Sequence, residues 1–344
     1  MAIPRRRLFN GLFLALGIAL LGVLLAHLDP EEVWANLRRA GWMLLPAFGA
    51  SLANLAFSGL TWSQTLEPGP ARPPFLRVLG AFWAGHALNG VTPGGAGEVL
   101  KGSILSRTVR GEEVVASLVV FHYLTGAAML VALVLSPLLA LIWLDLSNAV
   151  IGAILGLGGI MALGMALLRI LLRRGLAGDV LGLASRLPFV STGRLDVWKE
   201  RAVEVDDRIR AFRRRRPRAF ARATVFALCV RLTLMVELWF FLLALLPEQH
   251  AAWLFLLAML TQSTAQIINI LAVFIPGRVG ALEGGAALLF DLLGLSAVDG
   301  LALALLRRLR KVLTIALGLL VGAWLEASAG RRPMAEVTRR WDGP

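Results

Sequence analysis

Four cations stand within five residues at Arg307-Arg308-Leu309-Arg310-Lys311, with Leu301–Leu306 before them and Val312–Leu325 after. Charge of that density inside an apolar run is chemistry for an anion. A centrally placed arginine costs about 2.5–3.5 kcal/mol even on lenient insertion scales, so four of them would not persist facing lipid. They face a watery cavity, pair with acids, or bind an anionic headgroup. The acids available for pairing are Glu237, Glu283, Asp291 and Glu98. Arg231 and Glu237 lie six residues apart and do not face each other on one helix, so each needs a partner elsewhere. A competing reading has the cluster cap a short final span beginning at Val312, with Leu301–Leu306 in the interface.

Two of those acids close a repeated pattern. The first copy reads Asn89-Gly-Val-Thr-Pro93-Gly94-Gly95-Ala96-Gly97-Glu98, the second Pro276-Gly277-Arg278-Val279-Gly280-Ala281-Leu282-Glu283. Each is Pro-Gly-x-x-Gly followed within three residues by glutamate. The prolines lie 183 residues apart, and the apolar runs that follow begin at an offset of 184. Proline removes a backbone donor, and glycine permits turns where a side chain would clash. Broken backbone at membrane depth is tolerated only where it lines a cavity or packs on protein. A helix restarting after the break points its positive dipole end at that cavity, which suits an anionic headgroup. The plain alternative is a pair of interfacial turns between ordinary spans.

The expected headgroup cations are Arg307, Arg308, Arg310, Arg278 and Lys101. Glu98, Glu283 and Glu237 would orient the headgroup or take up protons. Pro93, Gly94, Gly97, Pro276, Gly277 and Gly280 are the backbone breaks. Asn89, Asn269, His122 and Tyr123 would line the cavity, the last two matching Arg307 and Arg308 in the repeat. His27, His86, His122 and His250 lack metal-ligand spacing, so no metal is expected. Neither a Ser-His-Asp order, nor paired catalytic carboxylates, nor a phosphate loop is present, so the expectation is a protein without cofactor that performs no catalysis.

The elements that would position these residues are membrane spans. The chain has 344 residues, 58% hydrophobic and only 17% charged, against about a quarter charged in soluble domains. A bilayer core of roughly 30 Å needs about 20 apolar residues of helix. Leu8–Leu28, Trp42–Leu66, Val114–Leu144, Asn148–Leu172, Phe220–Leu246 and Leu301–Leu325 qualify, with Pro137 a kink or an exit into the interface. Phe75–Leu105 and Trp253–Leu295 are apolar but broken by the Pro-Gly motifs. Arg5-Arg6-Arg7 before the first run resembles a signal peptide, yet no small-residue cleavage site closes it, so a retained span is expected.

The fold class is therefore an all-α polytopic membrane protein, with about six full spans plus two re-entrant hairpins (eight spans if the second hairpin crosses). It is one membrane domain: repeat 1 over about 8–144, repeat 2 over about 148–326, a basic insertion at 173–219 and a tail at 327–344. With the N-terminus inside, cytoplasmic parts hold 25 Lys or Arg and the external loops only Arg38 and Arg39. Both termini are then cytoplasmic and the two halves are inverted, the arrangement in which many transporters bind substrate between broken helices. The formal charge of +13 sits at span ends as orientation determinants, so no nucleic-acid partner is expected. Arg213–Arg216 reads as an anchor, or as a contact to anionic lipid. Cys229 is the only cysteine, so no disulfide forms within the chain.

The stretch from Asn89 through Glu98-Val-Leu-Lys101-Gly-Ser-Ile-Leu105 is similar to the transmembrane domain of lysylphosphatidylglycerol synthases. So is the stretch from Ile275 through Glu283-Gly-Gly285, with Leu293-Gly-Leu and the Ala302–Lys311 arginine segment. The form looks closest to the stand-alone branch associated with hopanoid biosynthesis, although Ala281 and Ala286-Ala287 depart from it. The resemblance implies movement or handling of an amphiphilic lipid in a bacterial cytoplasmic membrane. It implies no synthesis, since the aminoacyl-transferase domain has no counterpart in Glu326–Pro344. An anionic, polyprenyl or hopanoid-type lipid is the expected substrate. Two alternatives are a non-transporting subunit that presents lipid to a biosynthetic enzyme, and an intramembrane transferase.

Overall fold

The computed structural model describes residues 34–35, 38–68, 72–92, 95–106, 108–143, 148, 151–152, 208–271 and 281–329. The expected spans Leu8–Leu28 and Asn148–Leu172 lie outside these residues, as do most of the basic insertion and the C-terminal tail. Every regular element among the described residues is helical. We number the α-helices α1 (Leu44–Thr65), α2 (Phe75–Val91), α3 (Ala96–Leu105), α4 (Gly111–Trp143), α5 (Pro217–Leu245), α6 (Ala251–Leu271), α7 (Ala281–Leu292) and α8 (Ala297–Ala329). Arg38–Thr65, Gly111–Trp143, Pro217–Leu245 and Ala251–Ile270 are each long and apolar enough to cross a bilayer. The protein is a multi-pass membrane protein.

α1 and α5 form the central pair. Buried small residues line both helices, Ala47, Ala50, Ser51 and Ser58 on α1 and Ala219, Ala223 and Ala227 on α5, as is usual where helices associate in lipid. A side-chain amide fixes their register: Asn54 Nδ2 donates to the Val230 carbonyl at 2.7 Å and to Thr233 Oγ1 at 3.1 Å. Asn54→Ala is expected to lower stability by about 0.6–1.7 kcal/mol, read as a drop in thermal midpoint of the purified protein.

The two broken stretches fold as hairpins entering from opposite faces. On one face Arg216 donates to the Leu66 carbonyl and Arg72 to the Ser63 carbonyl, gathering the end of α1 and the starts of α2 and α5. From there α2 runs along α8, with Gly80 against Leu325 and Gly90 against Ile315 near Lys311. α3 then returns, packing back on α2. On the other face Arg39 pairs with Asp299 and donates to the Leu245 carbonyl, gathering the starts of α1 and α8 and the end of α5. α6 enters there, and α7 returns beside α8. α3 has 10 residues and α7 has 12; at 1.5 Å per residue both fall well short of roughly 30 Å. Neither returning arm is long enough to cross a bilayer, whereas α6, expected as one arm of the second hairpin, has the length and apolarity of a span.

The helix contacts come in matched pairs. α2 lies on α8 as α6 lies on α4; α1 meets α2 as α5 meets α6; α3 meets α4 as α7 meets α8. The core divides accordingly. One cluster joins the first hairpin to Val312, Ile315 and Leu319; the other joins the second hairpin to Ala302, Leu303 and Leu306. The five residues between those clusters are the arginine segment. α8 runs unbroken through it; with its four cations, α8 is not among the described helices apolar enough by composition to count as a span.

Candidate functional site

The first hairpin is closed by residues of its own tip. Gly95 takes φ +77°, a left-handed turn that suits glycine, and starts α3. Two residues on, Gly97 lies against Gly85 so closely that a Cβ would fall 1.9 Å from the Gly85 carbonyl oxygen. Asn89 staples the arms: the Gly97 N–H donates to its Oδ1 at 2.7 Å, and its Nδ2 donates to Glu98 Oε1 at 2.9 Å. Glu98 stands in the first turn of α3, where the helix dipole favours an acid.

Around Glu98 the cations are arranged in two ways. Lys101 Nζ donates to Glu98 Oε1 at 2.6 Å, one turn along the same helix. The lysine is 3% exposed, and its ammonium sits 4.6 Å from the Phe82 ring centroid. It is inside the hairpin rather than at the cytoplasmic surface. His122 of α4 approaches the other carboxylate oxygen at 3.1 Å from a half-exposed position, and Tyr123 beside it is 47% exposed.

The second hairpin repeats this plan with stronger cations. Glu283 also stands in the first turn of the returning arm, α7, and forms an ion pair with Arg308 of α8. Arg310 Nε lies 2.8 Å from Glu237 Oε1 on α5, and Glu237 is 2% exposed. Arg307 Nη2 donates to Gln262 Oε1 of α6 at 3.0 Å. The arginine segment thus touches α5, α6 and α7 at the depth where the first hairpin turns. Glu98–His122 and Glu283–Arg308 are matched contacts, each joining a returning arm to the helix that follows it.

Of the residues expected from sequence, Arg307, Arg308, Arg310, Glu237 and Glu283 come together around α8. Glu98, Lys101, Asn89, Gly97 and His122 form the separate group at the first tip. Asn269 is partly buried near the end of α6, and Asp291 is exposed. Pro93, Gly94, Pro276, Gly277, Arg278 and Gly280 lie outside the described residues. Gln262 and the Thr125 carbonyl, which accepts from Arg231 at 3.1 Å, were not anticipated. The signal for Gln262 was present in the polar run Thr261-Gln-Ser-Thr-Ala-Gln266, set in an otherwise apolar helix. Among the described residues, no group of His, Cys, Asp and Glu has the arrangement to hold a metal ion.

A family model described as the lysylphosphatidylglycerol synthase TM region matches residues 11–318. No curated protein matches the chain, and no solved structure does.

Proposed function

The chain belongs to the lysylphosphatidylglycerol synthase TM-region family, and from that membership we propose that it moves an anionic amphiphilic lipid across a bacterial cytoplasmic membrane without altering it. The observation that carries the reading is the arginine segment, which sits in the interior where the two oppositely facing hairpins converge. Arg308 and Arg310 are each held by one carboxylate, and Arg307 by a neutral amide. A phosphate-bearing headgroup offers a guanidinium a charge-assisted, bidentate contact. It would compete with Glu283 for Arg308 and meet Arg307 with no acid to displace. Exchange of these partners is the step that would let the headgroup leave one hairpin and face the other.

This reading makes repeat 1 (8–144) and repeat 2 (148–326) the two inverted halves, with both termini cytoplasmic. Phosphatidylglycerol-like, polyprenyl-phosphate and hopanoid-type lipids are the substrates to compare. The test is scrambling of a fluorescent phosphatidylglycerol in liposomes holding the purified protein. Wild type is expected to expose the inner-leaflet label, and Arg307→Ala/Arg308→Ala to slow this by at least about tenfold, the equivalent of 1.4 kcal/mol. Undiminished flux in the double variant would remove the headgroup assignment. Absence of flux in wild type, with a lipid-modifying enzyme co-purifying at equal stoichiometry, would replace transport by lipid presentation.

A further inference from the structure

Within the arginine segment, Arg307 is held by a neutral group although a carboxylate faces it. Arg307 and Arg310 stand three residues apart on α8, so they share one face of that helix. On that face Arg310 Nε is 2.8 Å from Glu237 Oε1. The other carboxylate oxygen, Oε2, is buried and has no hydrogen-bond partner among the described residues. Arg307 interacts electrostatically with the same carboxylate, yet its Nη2 donates to Gln262 Oε1 of α6 at 3.0 Å.

Two acceptors therefore compete for one guanidinium. A carboxylate attracts it more strongly than an amide does, and seating it on Glu237 would also satisfy the orphaned oxygen. Arg307 would then be matched by a buried acid, which a phosphate would have to displace. The amide oxygen of Gln262 offers a place for Arg307 that carries no charge and lies on a different helix from Glu237.

Resting on the headgroup role of Arg307 and Arg308, we propose that Gln262 is a positioning residue: its carbonyl oxygen keeps Arg307 off Glu237 and so available to a phosphate-bearing headgroup. Gln262 acts through Arg307, and Glu237 is the competitor it holds off.

Gln262→Met keeps the length of the side chain and removes its oxygen, and thermal unfolding of the purified protein then reads where Arg307 goes. The guanidinium is expected to move to Glu237 Oε2. Adding Arg307→Met then breaks a buried ion pair and lowers the midpoint below that of Gln262→Met alone. If Gln262 only satisfies Arg307 where it stands, Gln262→Met strands a buried arginine. Adding Arg307→Met would in that case leave the midpoint unchanged or raise it, which would overturn the proposal. Gln262→Asn, which keeps the amide but draws its oxygen back by one carbon, gives the same comparison should Gln262→Met not fold.

Scrambling in phosphatidylcholine vesicles with increasing phosphatidylglycerol reads the consequence for lipid. Gln262→Met is expected to raise the phosphatidylglycerol fraction for half-maximal rate about tenfold, as when the competent arrangement is one-tenth populated, with the maximal rate kept. A lower maximal rate at an unchanged half-maximal fraction would mark a merely structural role and overturn the proposal. Glu237→Leu/Arg310→Met removes the competing carboxylate, so adding Gln262→Met to it should no longer shift the half-maximal fraction; the same tenfold shift there would exclude Glu237 as the competitor. Undiminished flux in Arg307→Ala/Arg308→Ala removes the headgroup reading itself. Slowed flux in that variant, with Gln262→Met behaving as wild type, removes the role of Gln262 alone.

Discussion

Glu237→Ala is expected to be the most damaging single side-chain deletion in the central helices, costing about 3–5 kcal/mol. Glu237 is 2% exposed on α5, with Oε1 2.8 Å from Arg310 Nε. Deleting the carboxylate leaves the partly buried Arg310 with no acid among the described residues, and removes the described negative group that faces Arg307. The pair itself is a poor source of net stability, because both ions give up their hydration to form it. Replacing both members by apolar residues of similar volume therefore differs from removing one. Glu237→Leu/Arg310→Met should recover most of the single variant's loss in thermal midpoint. A double variant as unstable as Glu237→Ala would show that packing of the acid, rather than its charge, holds α5 to α8. Lipid scrambling by the double variant separates this structural role from the headgroup role, which Arg307 and Arg308 would still fill.

The contrast between these two roles explains what was legible in the sequence. Hydropathy located the long apolar helices near Trp42–Leu66, Val114–Leu144 and Phe220–Leu246, because burial in lipid constrains composition over whole helices. The hairpins were legible because Pro-Gly-x-x-Gly recurs with its trailing glutamate, and 10 or 12 residues of returning helix cannot reach across a bilayer. The identity of the partners was not legible. Glu98, Glu237 and Glu283 were all candidates for the arginine segment, yet Glu98 is taken by Lys101 and His122. That choice follows from which helix each hairpin returns beside, a long-range property that periodicity does not carry. Arg231 shows the same limit: its separation from Glu237 ruled out one partner and named no other.

The matched hairpins also differ in a way that bears on function. The first tip is closed by hydrogen bonds within itself, through Asn89, Gly97 and Glu98. The acids of both tips also reach the helix that follows, but Glu98 meets a half-exposed histidine on α4 and Glu283 an arginine on α8. Two arms built on one plan therefore differ: the first hairpin carries its own lysine–glutamate pair, while the second supplies a carboxylate to Arg308 of the central segment. Among the described residues Glu283 is the acid an anion would displace from Arg308, whereas the first tip's cation, Lys101, is enclosed by Phe82 and Phe121. The arginine side is the better place for exchange, and the first tip the better candidate for a fixed wall.

That assignment makes the first tip sensitive to backbone spacing, and two glycines of α3 test it. A Cβ at Gly97 would fall 1.9 Å from the Gly85 carbonyl oxygen and 2.5 Å from Asn89 Oδ1. The first of these is backbone, so the arms must separate and the 2.7 Å bond from the Gly97 N–H to Asn89 must stretch or break. Overpacking of this kind costs about 1–3 kcal/mol or more, and the lost hydrogen bond adds to it. Gly102 lies one and a half turns further along the same ten-residue helix, and a Cβ there meets nothing within 4 Å. Gly102→Ala removes backbone freedom at no steric cost, so it should be neutral or stabilising by up to about 1 kcal/mol. The expected result is a large fall in thermal midpoint for Gly97→Ala, with none for Gly102→Ala. Gly97→Ala should also lose lipid scrambling in liposomes under conditions where it remains folded, because Glu98 then no longer stands where Asn89, Lys101 and His122 hold it. Equal midpoints for the two variants would mean that the arms of the first hairpin are not in contact at Gly85 and Gly97.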